Sequence, residues 1–381
     1  MIPPESLAPV TRAINDAFGV AAFDDIRDLT ERPGSNRAFR IVVRGSAYLL
    51  RINTRAGDMT RHYTAMQAAA DAGLAPRVHY ASPEDRVSIT DFVEAVPFPA
   101  TDALRRVPAA LRTLHALAPF PAAPFNTTCT FLLNKGAALD GFLHKFRAAN
   151  ILPERDLNEL FTQYARVAEA YSSIEPDPAP SHNDLFKPDN ILFDGTRLWL
   201  VDWEAAFQND RYADLAVAAN MLVSNEAEER IYLHEYFGTA PDSYQSARFH
   251  LMRQLAHIFY AMVFLSLGSA AKPIDWSEPV PASADFQRRF WAREAGLADD
   301  HSKALYGRVH WEQLRGNPEI EEALRAVAKR KANLAGYCAV SEIACLSRSD
   351  ATAPRTAGFI PRGASAPPNR AEAAGLKPRA D

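Results

Sequence analysis

SHNDLFKPDNILFDGTRLWLVDWEAAFQNDRYADLA, residues 181–216, is the stretch from which the rest of the sequence can be placed. His182, Asp184, Asn190 and Asp202 form its polar skeleton. Asn190 follows Asp184 by six positions, and Asp202 follows Asn190 by twelve. Between them NILFDGTRLWLVD reads as a β-hairpin, with Asp194-Gly195 as its turn dipeptide. That puts Asp202 at the end of the strand-like run LWLVD. A carboxylate and an amide oxygen on either side of a hairpin can share a hard cation, which selects oxygen ligands, while a second carboxylate, Asp184, stands close by.

Upstream of this segment the chain changes character twice. Ser6–Phe18 reads as a short helix. AFRIVV and AYLLRI flank Arg44-Gly45-Ser46 and predict a hairpin. Met59–Asp71 is Ala-rich and predicts a helix ended by Gly73 and Pro76. RVHYA and VSITDFVEA, separated by residues 82–85, predict two more strands. The first hundred residues or so therefore read β-β-α-β-β, a small antiparallel sheet with one helix. Beyond Pro97 and Pro99 helices dominate, including Asp102–Leu117, where Leu104, Val107, Leu111 and Leu114 recur at helical spacing. Ala138–Ala149, Glu154–Ser173, Ala247–Leu267 and Glu319–Ala335 read the same way. The expected organisation is a β-rich lobe over 1–96, a helical lobe over 97–348 and a disordered Ala/Pro-rich tail over 349–381, whose apolar residues are too sparse to offset the entropy of ordering.

Composition removes several functional classes. The 381 residues carry a formal net charge of −4, against the basic excess of a general nucleic-acid binder. Three cysteines, Cys129, Cys338 and Cys345, are too few and too scattered for a disulfide framework or a zinc site. A reducing cytoplasm is the expected compartment. The N-terminus lacks the layout of a signal peptide. The most apolar run, His257–Gly268, is shorter than the ~20 residues a bilayer requires, so no membrane span is expected.

A carboxylate in a loop, an asparagine after it and an aspartate at a later strand end are the parts that protein kinases use for phosphoryl transfer. On that pattern Asp184 is the base that orients the acceptor hydroxyl, and Asn190 and Asp202 are ligands of Mg²⁺. HNDLFKPDNIL followed by LWLVDWEAA resembles the aminoglycoside phosphotransferase and choline kinase superfamily, whose members share the protein-kinase-like fold and phosphorylate small molecules. DWEAAFQNDRYADLA is more similar to the choline and ethanolamine kinases. SNRAFRI, YLLRINT, AGLAPRVHY, SITDFVEAVPF and LRTLHAL resemble the corresponding parts of bacterial choline-kinase-like members.

The resemblance implies a two-lobed α+β protein-kinase-like fold with ATP between the lobes and Mg²⁺ as cofactor. It implies that Arg51 contacts phosphate, that Asp91, Phe92 and Val93 form the hinge for the adenine, and that Ser35 and Asn36 lie in the loop over the phosphates. Glu204 would help hold a second Mg²⁺ or face a cationic acceptor. His182 and Asp214 would support the catalytic loop. The family places a Glu on the small-lobe helix as partner of the basic strand residue; here His62 stands near that position and nothing acidic lies between Met59 and Ala70. The pairing is then absent, or Asp58 or another residue substitutes.

The implied acceptor is choline or a related amino alcohol, with an aminoglycoside or sugar kinase and a nucleotide-binding scaffold without turnover as alternatives. Trp276, Trp291, Tyr306 and Trp311 are candidates for an aromatic cage around an ammonium, and each is also a candidate for ordinary core packing. His250 and His257, seven apart on a helix, read as packing residues. Lys187 and Asp189 face either substrate or water. Acceptor identity, the choice of ATP or GTP, oligomeric state and the purpose of the tail are left open by the sequence.

Overall fold

In the computed structural model the described residues are 2–30, 36–54, 57–122, 129–315, 319–330 and 332. Ser35, Cys338, Cys345 and the expected tail lie outside them. Met1–Lys331 makes up one compact unit.

The first lobe runs α1 (Leu7–Phe18), β1 (Asp25–Asp28), β2 (Arg37–Val43), β3 (Ser46–Ile52), α2 (Thr60–Asp71), β4 (Val78–Ser82) and β5 (Val87–Asp91). The strands form one antiparallel sheet in the order β1-β2-β3-β5-β4. Phe39, Ile41 and Val43 alternate on β2, as the period of two requires, and join Leu50, Ile52, Val87 and Ile89 in a core. α1 closes that core with Val10, Ala13 and Ile14, spaced along one helical face. Arg51, between Leu50 and Ile52, therefore points to the opposite face. The β2–β3 turn is Arg44-Gly45, both at positive φ (52° and 77°), as a two-residue hairpin needs. The short strand β1, DIRD, was not expected: its one apolar residue offers no alternation, and it pairs as a charged edge.

The second lobe contains α3 (Ala100–Leu114), α4 (Ala137–Ala148), α5 (Glu154–Ser172), β6 (Pro178–Ser181), β7 (Ile191–Phe193), β8 (Leu198–Leu200), β9 (Phe207–Asp210), α6 (Arg211–Leu222), α7 (Glu226–Phe237), α8 (Ser243–Gly268), α9 (Ser283–Trp291) and α10 (Asp300–Glu312). A further helical stretch covers 319–330. The β7–β8 hairpin turns at Asp194-Gly195, and β6 pairs with β9. The buried face of α2, with Tyr63, Ala65, Met66 and Ala69, belongs to the same apolar cluster as the helical lobe. Apolar packing thus crosses the division near residue 96.

α8 is the spine of the helical lobe. It opens with a capping box, Asp242 and Gln245. It is the one described helix long and apolar enough to cross a membrane by length and composition, and 72% of its most apolar window is buried inside the fold. It crosses α10 where Gly307 allows close approach: a Cβ there would stand 2.7 Å from the Leu265 backbone nitrogen and 2.9 Å from its Cγ. Gly307→Ala should lower stability by about 1–3 kcal/mol, outweighing the ~1 kcal/mol that alanine gains in helix propensity. Urea unfolding checks this; an unchanged midpoint would mean the two helices can move apart freely.

Candidate active site

The loop after β6 is built around one buried carboxylate. Asp214, in the first turn of α6, accepts from the backbone N–H groups of His182 and Asn183, both at 2.7 Å. His115 Nε2 lies 3.4 Å from the same carboxylate. Burial would raise the Asp214 pKa, but His115 and the loop N–H groups outweigh it and hold it below the usual range. The N-cap of α6 is Asp210, so Asp214 braces the loop and does not cap the helix. Asn183 sits at φ 65°, a left-handed conformation that asparagine tolerates. Its amide donates to carbonyls of Ser181, Ala205 and Phe207 and accepts from Asn209. His182 points Nε2 at the Val201 carbonyl (2.9 Å) and packs on Trp203. Burial lowers its pKa and so disfavours the charged ring.

This scaffold brings Asp184, Asn190 and Asp202 together. The Asn190 amide donates to the Asp184 backbone carbonyl (2.7 Å) and to its carboxylate (2.8 Å), which turns Asn190 Oδ1 the other way. Asp202 follows β8 at φ 71°. Arg51 Nη1 reaches its Oδ1 at 3.2 Å. Lys187 Nζ lies 3.6 Å from Asp202 Oδ2 and 3.8 Å from Asp184 Oδ2. Burial, opposed by Lys187 and reinforced by Asp202, pushes Asp184 up to about 6. Burial acts on Asp202 too, yet Arg51 and Lys187 overcome it and hold that pKa below the ordinary value. Two neighbouring carboxylates therefore differ in proton affinity. Glu204 follows Asp202 in a short 3₁₀ turn and accepts from Asn36 of the sheet lobe.

Among the described residues the partner of Arg51 is Asp202. Asp58 instead accepts from the Thr60 N–H at the start of α2 (2.8 Å). His62 is buried, and burial together with Arg51 brings its pKa down to about 4. Its neighbour Arg61 donates to the backbone carbonyls of Ala206 and Glu204, tying α2 to the turn after Asp202. Sequence reasoning passed over Arg61; its place beside the vacant acidic position was the available signal.

At the end of β5 the Asp91 and Phe92 N–H groups are taken by the carbonyls of Arg77 (2.9 Å) and Ala47 (3.3 Å). The Val93 N–H meets no backbone acceptor among the described residues. The Asp91 carboxylate lies 2.7 Å from His79 Nε2. Asp189 is not part of the cluster: it pairs with Arg293 at 3.1 Å.

The four aromatic candidates do not form a cage. Trp311 is buried, and Trp291 is buried with its Nε1 on the Phe98 carbonyl. Tyr306 lies in a ring cluster with Tyr260, Phe264, Phe286 and Phe290. Arg308 covers Trp276 at 5.3 Å. His250 pairs with Glu229, and His257 with His310.

The model of the phosphotransferase enzyme family, APH, matches residues 28–250, more than half of the chain. The chain belongs to the phosphotransferase enzyme family. Solved structures give this phosphotransferase the same fold at low identity. A choline/ethanolamine kinase family protein from Mesorhizobium loti is 20% identical, with TM-score 0.58 over 84% of this chain and 99% of that one. An ethanolamine kinase from Plasmodium vivax is 13% identical, with TM-score 0.51 over 79% and 84%. APH(2″)-IIa in its streptomycin–ATP ternary complex is 17% identical, with TM-score 0.51 over 71% and 92%. No curated protein matches the chain. The two-lobed α+β kinase-like fold of this phosphotransferase places Asp184, Asn190 and Asp202 in one cluster below the sheet lobe's Arg51.

Proposed function

We propose that this chain is a Mg²⁺-dependent kinase that moves the γ-phosphoryl group of ATP directly onto a hydroxyl of a small molecule. The observation that carries the reading is the convergence of Asp184 and Asp202 on one cation, Lys187 Nζ, with the Asn190 amide locked beside them.

The donor set fits Mg²⁺, which is commonly held by one or two carboxylates together with substrate phosphates. Among the described residues no group of three His, Cys, Asp or Glu side chains stands ready to hold a metal alone, so Asp202 and Asn190 would share the ion with the nucleotide. Such an ion would supply positive charge that neutralises the phosphates, with Asp202 and Asn190 as the residues that would hold it. Asp184, with its raised proton affinity, orients the acceptor hydroxyl and takes its proton. Arg51 contacts the phosphates together with Asn36, and the hinge around Asp91 and Val93 receives the base; Ser35, expected to join them, lies outside the described residues. Glu204 serves a second ion or a cationic acceptor, and His182 and Asp214 keep the loop in shape. The lobe over 1–96 carries the nucleotide and the lobe over 97–348 the acceptor.

The finer reading is that the acceptor is choline or a related amino alcohol. It rests on the likeness of DWEAAFQNDRYADLA to choline and ethanolamine kinases and on the two kinase relatives of that description. Fold likeness alone does not decide an acceptor. ATP consumption by the purified protein with Mg²⁺, against choline, ethanolamine, small alcohols, sugars and aminoglycosides, tests it. Turnover stimulated by an amino alcohol is expected; stimulation by aminoglycosides or sugars alone would move the assignment within the family.

A further inference from the structure

The segment from Asp184 to Asn190 is one position longer than the H-R-D-x-x-x-x-N loop of protein kinases. Phe186 and Lys187 lie in this longer stretch, and both flanks of Lys187 are anchored. The Phe186 carbonyl accepts from the Tyr306 hydroxyl (3.3 Å), and its ring packs on Tyr260 and Phe264 at 5.2 and 5.7 Å. On the other side the Pro188–Asn190 turn is held by Arg293, which donates to the Pro188 carbonyl and the Asp189 carboxylate. Lys187 itself is extended, its side chain 30% exposed, and its ammonium stands between Asp184 and Asp202. It is not a solvated surface lysine, whose long side chain would keep most of its rotamer freedom.

We propose that Lys187 is a resident cation of the metal site, set against the Asp202 oxygen that Arg51 does not engage, and that a divalent ion must displace it to reach that oxygen. This rests on the reading of Asp202 as a metal ligand. An ion held by Asp202 Oδ2 would face an ammonium now 3.6 Å from the same oxygen. The repulsion at that range is weakly screened in a half-buried site. The chain would therefore disfavour a bare metal ion. Nucleotide phosphates arriving with the ion bring negative charge that receives the displaced ammonium, so metal and nucleotide bind together.

The test is calorimetric titration of Mn²⁺ alone into the nucleotide-free, full-length protein. Lys187→Met should bind Mn²⁺ on the order of tenfold tighter than wild type, and Lys187→Arg, which keeps the charge, should not. Asp202→Ala, run in parallel, should bind Mn²⁺ more weakly. If Asp202→Ala loses affinity while a folded Lys187→Met binds no more tightly than wild type, the inference about Lys187 fails and the metal site stands. If Asp202→Ala binds as well as wild type, the metal-site reading fails and the inference falls with it.

Discussion

Asp184→Ala should lower acceptor-dependent turnover by about 10²–10⁴-fold, the range a positioned general base contributes, with Mg·ATP affinity nearly unchanged. The split follows from the geometry. Asp202 and Asn190 remain, and Asn190 keeps the Asp184 backbone carbonyl as an acceptor at 2.7 Å. Burial holds the Asp184 carboxyl near 6, so the group lost is the one suited to accept a proton. Turnover and nucleotide binding measured on the same preparation check the prediction. Intact turnover would remove Asp184 from the chemistry.

Asp214→Ala is expected to cost stability as well as activity. It would leave the buried N–H groups of His182 and Asn183 without an acceptor, at about 1–3 kcal/mol each. Against a typical domain stability of about 5–15 kcal/mol that is a large fraction, and the loop holding Asp184 would lose its shape. The sign of the pH dependence is also fixed. The Asp214 pKa is lowered in the fold, so its contribution is full above the unfolded value of about 3.9 and is lost as pH falls through the lower folded value. Urea unfolding followed by circular dichroism would settle the matter: a variant unfolding at the wild-type midpoint contradicts a bracing role.

Local signals accounted for much of this fold. β2, β3 and β5 were legible because their runs are rich in β-branched, aromatic and other apolar residues and are bounded by turn residues, and α3 because its leucines recur at helical spacing. β1 was not, since DIRD has no apolar pattern and pairs only because β2 offers an edge. β6, PAPS, was hidden by two prolines that remove backbone donors. In the site, Asp184, Asn190 and Asp202 could be read together because a tight hairpin joins Asn190 to Asp202 and Asp184 stands only six positions before Asn190. Contacts between distant segments could not be read. Arg51 meets Asp202 across 151 positions, and Asn36 meets Glu204 across 168. The empty acidic position near His62 left the partner of Arg51 open, and only the tertiary structure supplies it. The bridging place of Lys187 was equally hidden, because it depends on how the longer loop is pinned at Phe186 and Pro188.

The most direct test of phosphoryl transfer to a small-molecule hydroxyl follows the label of γ-labelled ATP in the presence of Mg²⁺ and the acceptor panel. Label should appear on one small-molecule alcohol, never on the protein, and should vanish from it in Asp184→Ala. Label retained on the protein, released only as inorganic phosphate, or left on ATP despite Mg·ATP binding would contradict the account.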